Sequence, residues 1–414
     1  MTAKTKFGTG ILLLIMMLVI IALVPAVNAQ GNDYSVTAEK AFEHANAQII
    51  QFMVTDTDGF GSWIGASIDS KPLELYDING QKLFYQFSVY KNNKVIGRIY
   101  IGANKTLGQS VRLIELDPTP LKVAGAMKKA IETAKKNYST GEIKSTIMVV
   151  YSYPKIGAMT VVKDKTTGVE NRVFVDAYTL DVVPDKPANK TEPGVLSIYK
   201  NISKSKIDEN LNKWQSSDEL TKSIEQAATN QGVNIDLPVT EENIKKLSNT
   251  TTIGADTVQK TIITPAYFAQ KILSVPVYSQ STTYYCQPAS AQMIASYYGV
   301  SHTQDYIYSK MGGVAPNGIN NSQALVYYKS SSGLNKPKSY TTTSVYWGTG
   351  VSEIDNNRPF MSGTNDHARV CVGYQDNGYL TSYLRINDPA PPYIGGHATW
   401  EAFGSEVDRI YVKS

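Results

Sequence analysis

Apolar positions in the first half of the chain alternate between helical and strand periods. Ala38, Ala41, Phe42, Ala45, Ile49 and Phe52 recur at the spacing of one helix face, which predicts a helix with a single buried side. Leu83 to Tyr90 reads as a strand, Asn92-Asn93 as a tight turn, and Lys94 to Ile101 as the returning arm of a hairpin. After Pro118-Thr119-Pro120 a second helix is expected to run to about Lys136, with strands near Ser145 to Tyr153, Ala158 to Lys163 and Arg172 to Val183. This order predicts an α+β unit with an antiparallel sheet over residues 30–184. Over residues 185–264 the pattern gives way to Lys, Asn, Ser, Thr and Glu, the composition of a polar, partly helical connector. Ser216-Ser217-Asp218-Glu219 has the form of a capping box ahead of Leu220 and Ile224, and Glu241 to Leu247 suits a further short helix. Apolar periodicity returns over residues 265–414, which form the last unit.

The first residues follow a different rule. Lys4 and Lys6 precede an apolar run from Ile11 to Val24, and small residues end at Val27-Asn28-Ala29. A run of about 14 residues is short of the ~20 that span a bilayer, so residues 1–29 are expected to be a cleaved signal peptide. The protein is then secreted or held at the extracellular cell surface, with a membrane partner only if that segment is retained as an anchor. Sequons at Asn104, Asn137, Asn189, Asn201, Asn249 and Asn320 agree with export. Only Cys286 and Cys371 are present, so no disulfide scaffold holds the fold. With 414 residues, 42% hydrophobic and 18% charged, the chain has the length and apolar content for more than one globular core. The net charge of +4 is dispersed rather than gathered into a basic tract, which excludes nucleic acid as a partner.

Chemistry-bearing residues collect in the last unit. Downstream of Cys286, residues Ala289, Met293, Ile294 and Tyr297 form a helical stripe closed by Gly299, so the cysteine stands in or just before a first helical turn. Unpaired N–H groups and the helix dipole there favour an anion, and the thiolate is the attacking form. Pro288 is compatible with a first turn. A thiol nucleophile needs an imidazole to take and return a proton. Of the four histidines, His44 lies in the other unit, His302 closely follows the nucleophile helix and His397 sits in a Gly-Gly-His turn context. His367 opens the apolar strand His-Ala-Arg-Val-Cys-Val-Gly-Tyr374, where it can face a helix terminus across a cleft. A third group should hold that ring; Asn387 and Asp388, at the end of the next strand, both qualify by spacing, and only one of two successive strand residues can face it. Gln280, six residues before Cys286, can supply a side-chain amide to an oxyanion. No metal-ligand spacing and no phosphate-binding or dinucleotide glycine motif occurs, so no metal and no cofactor is expected.

The stretch Val-Pro-x-x-x-Gln280-x5-Cys286-x-Pro-Ala, the strand from His367 to Val-Gly-Tyr374, and Asn387-Asp388-Pro together resemble the papain-fold peptidases related to the double-glycine-leader processing domains of bacteriocin exporters. The resemblance covers the final unit. It implies a papain-like α+β fold with Cys286 as nucleophile, His367 as base, Asp388 as orienting carboxylate and Gln280 as oxyanion donor. Members of that family often carry glycine after the cysteine; Gln287 stands there in this chain and is expected to narrow or redirect the substrate groove. The ending Asp176-Ala-Tyr-Thr of the first unit, with its element order, is similar to the PepSY-type domains that precede many exported peptidases. That likeness implies a pro-domain that acts as intramolecular inhibitor of a zymogen or assists its folding; together with the exposed connector it leads to an expectation of self-cleavage there during maturation. The functional expectation is a secreted cysteine peptidase acting on a protein or peptide substrate. Two alternatives use the same residues differently: a non-catalytic papain-fold surface binding module, and an amidase or acyltransferase acting on cell-wall peptide. A Cys286–Cys371 disulfide would silence the nucleophile.

Overall fold

The computed structural model describes residues 34–236, 238–248, 268–378 and 381–414. The signal peptide expected over residues 1–29, the sequon at Asn249 and the last part of the connector lie outside the described residues.

The first unit comprises α1 (Ala38–Val54), β1 (Ser67–Ile68), β2 (Leu73–Asp77), β3 (Lys82–Lys91), β4 (Lys94–Gly102), β5 (Val111–Leu116), α2 (Val123–Asn137), β6 (Glu142–Ser152), β7 (Lys155–Lys163), β8 (Glu170–Asp176) and β9 (Val182–Val183). Then come α3 (Lys204–Gln231) and α4 (Glu241–Ser248). The last unit holds β10 (Ala269–Ile272), α5 (Cys286–Tyr297), α6 (Gln304–Lys310), α7 (Asn321–Lys329), β11 (Tyr340–Thr342), α8 (Trp347–Asp355), β12 (Phe360–Gly363), β13 (Ala368–Asp376), β14 (Ser382–Asp388), β15 (His397–Ala402) and β16 (Asp408–Tyr411).

Local chemistry explains the elements that position the site. Thr37 caps α1 by accepting the Lys40 N–H, and Asn92 and Asn93, both at positive φ, close the β3–β4 hairpin. The strand expected to reach Val183 stops at Asp176, whose carboxylate accepts the N–H groups of Tyr178 and Thr179 and so turns the chain. Alternation along β3 and β4 sends Tyr85, Phe87, Val89, Ile99 and Ile101 toward α1 and α3, and Phe84 and Tyr100 toward α2, so helices cover both faces of the sheet.

Two features depart from the sequence reading. The partly helical connector is more deeply packed than its polar composition suggests: α3 occupies its middle and buries Trp214, Leu220, Ile224, Ala227 and Ala228 in the core that also holds α1. Ser216 consequently lies in mid-helix, its hydroxyl bonded back to the Asn212 carbonyl, and the helix begins at Lys204 instead. The short helix expected from Glu241 is α4. The second feature is continuity. The described strands form one 16-stranded sheet because β5 pairs antiparallel with β15, Leu116 opposite Ala398 and Leu113 opposite Glu401. Tyr383, Trp400 and Ala402 from the last unit share one apolar cluster with Phe52, Phe60, Trp63 and Ile114 from the first. Among the described residues, no helix is long and apolar enough to cross a membrane.

Candidate active site

Helix α5 starts at Cys286 and packs on β13, so the thiol stands over the first turn and faces the strand that His367 precedes. The β13–β14 register selects the third group. Val370 lies opposite Asn387, which sets Asp388 opposite Arg369 and on the face shared by residue 367, the diagonal neighbour across the pair. His367 Nε2 lies 2.6 Å from Asp388 Oδ1, while the Asn387 amide turns the other way and donates to the Val275 carbonyl at 3.0 Å. Asp388 also accepts the Ala390 N–H at 2.8 Å, which fixes its rotamer. With Nε2 taken, Nδ1 is the ring nitrogen left to exchange a proton with Cys286, which lines the same cavity.

Burial by itself pushes the Cys286 thiol up, but hydrogen bonding to His367, the imidazolium charge, the Lys155 ammonium and the Ala368 N–H together hold it below its ordinary value. Burial pushes His367 down, and the Asp388 carboxylate with the Cys286 sulfur overrides it, raising the imidazole to about 9. Burial raises Asp388 as well, and the adjacent His367 outweighs it and holds the carboxyl far below the usual range. Both shifts in the Cys286–His367 pair favour thiolate and imidazolium at rest.

Gln280 is buried in the loop before α5, anchored by its N–H to the Pro389 carbonyl and by its own carbonyl to the Tyr393 N–H. One N–H of its side-chain amide goes to the Thr282 carbonyl at 2.8 Å, leaving a second for a ligand, and its Oε1 has no partner. Cys286, His367, Asp388 and Gln280 line one cavity of about 540 Å³. Gln287 does not narrow that cavity: its side chain is buried behind α5, its amide donating to Asn321 Oδ1 at 2.8 Å. Both cysteines are free, so the Cys286–Cys371 disulfide is excluded; Cys371 is fully enclosed in β13, where burial raises its thiol.

The remaining histidines stand apart from the sulfur. His44 bridges Ser110 and Asp218, tying α1 to α3, and His302 bonds the Tyr327 hydroxyl. His397, opposite Asp388 across β14 and β15, lines the same cavity, held by the Ala390 carbonyl at 2.9 Å and 3.6 Å from Glu115. Among the described residues, no group of three histidine, cysteine or acidic side chains is placed to hold a metal ion.

The first unit supplies much of the cavity wall, including Tyr151, Lys155 and Tyr178, and the start of the connector adds residues between Lys186 and Gly194. Two site residues escaped the sequence reading. Asp366, next to His367, accepts Lys155 at 2.6 Å and Ser152 at 2.7 Å. A polar residue beside a histidine is an ordinary strand start, and nothing local marks its partner, which arrives from a hairpin some two hundred residues upstream.

Residues 272–408 match a family model described as the Peptidase_C39 like family, which supports a cysteine peptidase in the last unit. Among solved structures, the peptidase domain of Streptococcus ComA, a bifunctional ABC transporter involved in a quorum sensing pathway, is 19% identical over 33% of this chain and 98% of that domain, with a TM-score of 0.25. No curated protein sequence matches the chain.

Proposed function

We propose that this chain hydrolyses peptide bonds with Cys286 as nucleophile, His367 as general acid and base, Asp388 as the group that orients it, and Gln280 with the Cys286 N–H as oxyanion donors. The observation that carries the reading is the 2.6 Å His367–Asp388 hydrogen bond beside the Cys286 thiol, all three opening onto a cavity of about 540 Å³, room for a few residues of an extended peptide. The thiolate attacks the scissile carbonyl, and the developing oxyanion takes the free Gln280 N–H and the N–H of Cys286, which has no intrahelical acceptor at a first-turn position. His367 then delivers its proton to the departing amine, leaving a thioester on Cys286. Water attacks the thioester with His367 taking its proton, and the acid product leaves as the thiolate is restored.

The segment from Lys186 to Gly194 lies along the cavity, and the Thr191 carbonyl accepts the Gly318 N–H of the last unit at 2.9 Å. This covered cleft supports an inhibitory part for that segment, in which it screens the nucleophile from large folded substrates until it swings aside.

The pH dependence follows from the signs of the shifts. The imidazolium is needed for the leaving amine, so kcat/KM should fall as pH rises through about 9, where His367 loses its proton. On the acid side it should fall as the thiolate takes up a proton. Stability has the same alkaline limb. His367 is raised in the folded state, so its contribution is complete below the unfolded value of about 6.5 and is lost as pH climbs through about 9. Asp388 is depressed, so its contribution is present above roughly 4 and is lost on strong acidification. A kcat/KM profile on a fluorogenic peptide that stays level well beyond pH 9 would contradict the assignment of His367.

A further inference from the structure

The first unit and the connector that follows it each reach the start of strand β13. At the β6–β7 turn, Ser152 Oγ donates to one oxygen of Asp366 and Lys155 Nζ to the other, so a hairpin of the first unit occupies the whole carboxylate of the residue preceding His367. Asp366 has 2% of its side chain exposed, and a lone carboxylate so enclosed would be costly; the hairpin is what allows it to stay there. On the other side, Lys190 pairs with Asp408 at 3.2 Å and lies 3.5 Å from the His367 carbonyl oxygen. Gly318 and Gly363 leave room for this contact: a Cβ on the first would meet the Lys190 carbonyl oxygen at 2.3 Å, and one on the second would meet Lys190 Nζ at 2.6 Å. Behind both contacts, the β5–β15 pairing and the shared apolar cluster fix the first unit to the last.

Resting on the peptidase reading, we propose that the first unit completes the catalytic centre: Lys155 is a positioning residue that holds the Asp366–His367 strand start in register and presents a cation to the Cys286 thiolate. A unit that served only as a detachable inhibitor would have no reason to neutralise a buried carboxylate on the catalytic strand. The Lys155 ammonium adds to the forces that keep the sulfur ionised, and Asp366 in turn keeps the ammonium charged. The other groups facing the sulfur are His367 and the Ala368 N–H, with Asp388 behind the imidazole; Glu115, Glu401 and His397 line the same cavity. Removing the first unit would therefore lose catalytic competence rather than release it.

The test uses the full chain with Lys155→Met and Lys155→Arg. Alkylation of Cys286 by iodoacetamide is followed across pH by mass spectrometry of its peptide, with Cys371 as the enclosed internal control. Loss of a nearby cation moves a thiol by about one unit or more, tenfold in thiolate at a fixed pH below the midpoint. Lys155→Met is therefore expected to raise the alkylation midpoint by about one unit and to slow alkylation near neutrality about tenfold, with Lys155→Arg close to the parent. If Lys155→Met does not fold because Asp366 is left unpaired, Lys155→Met with Asp366→Asn removes that charge, and the raised midpoint is expected in it as well. A folded Met variant with the parent's midpoint, or one that alkylates or hydrolyses peptide faster, overturns this inference and makes Lys155 a latch on an inhibitory cover. A parent whose Cys286 titrates like an ordinary free thiol overturns the peptidase reading, and this inference with it.

Discussion

Replacing His367 with alanine is expected to lower kcat/KM for peptide hydrolysis by about 10⁴-fold or more, and adding Cys286→Ala to that variant should cost little further. The reason is that the two side chains act as one device. Without the imidazole the thiol loses the hydrogen bond and the charge that hold it below its ordinary value, so the buried sulfur is left protonated and unreactive. Without the sulfur no tetrahedral adduct forms, so the imidazole has no departing amine to protonate. Losses that act through one step do not multiply. Steady-state assays of the two single variants and the double variant on one fluorogenic peptide decide the matter: a double variant worse than each single by the product of their losses would show two independent contributions, and a His367→Ala variant within tenfold of the parent would remove that residue from the mechanism.

The second large effect concerns stability. Trp400 on β15 is fully enclosed, its indole N–H donating to the Asp58 carbonyl at 3.1 Å and its ring packed near Phe52 of α1, at 6.1 Å between centroids. It belongs to the last unit by chain position and to the core of the first by packing. Trp400→Ala should destabilise the protein by about 3–5 kcal/mol, the range for deleting a buried aromatic, and should do so across the seam between β5 and β15. Because that seam couples the units, equilibrium urea unfolding should shift to lower denaturant and separate into two transitions where the parent shows one. A variant that unfolds within about 1 kcal/mol of the parent in a single transition would mean that the shared core contributes little to holding the units together.

The same seam explains which parts of the molecule were legible in the sequence. Helix α5 could be read because its signals are local: an apolar stripe at Ala289, Met293 and Ile294, a proline compatible with a first turn, and Gly299 at positive φ after the last turn. The β3–β4 hairpin was legible for the same reason, through two successive asparagines able to adopt positive φ. Choosing between Asn387 and Asp388 required the β13–β14 register, which is fixed by pairing and includes an irregularity between Cys371 and Gly373 that no residue pattern announces. Helix α3 was obscured because only a narrow stripe of its 28 residues is buried, so its composition reads as solvated even though Trp214, Leu220 and Ile224 keep helical spacing. The short strand β5 carries no hint of its partner, since Leu116 finds Ala398 only once both units are folded. What the sequence concealed is therefore the non-local part: the joint sheet, and with it the arrival of Lys155 beside the start of β13.

In the proposed mechanism one of the two thiols is ionised by an imidazole and open to a cavity while the other is an inert core residue. Brief treatment of the native protein near neutral pH with a cysteine-directed covalent probe, followed by peptide mapping, tests it directly. Rapid modification of Cys286, abolished in His367→Ala, is expected, with no modification of Cys371 until the chain is unfolded. Equal and slow modification of both cysteines, or labelling of Cys286 at an undiminished rate in His367→Ala, would contradict it.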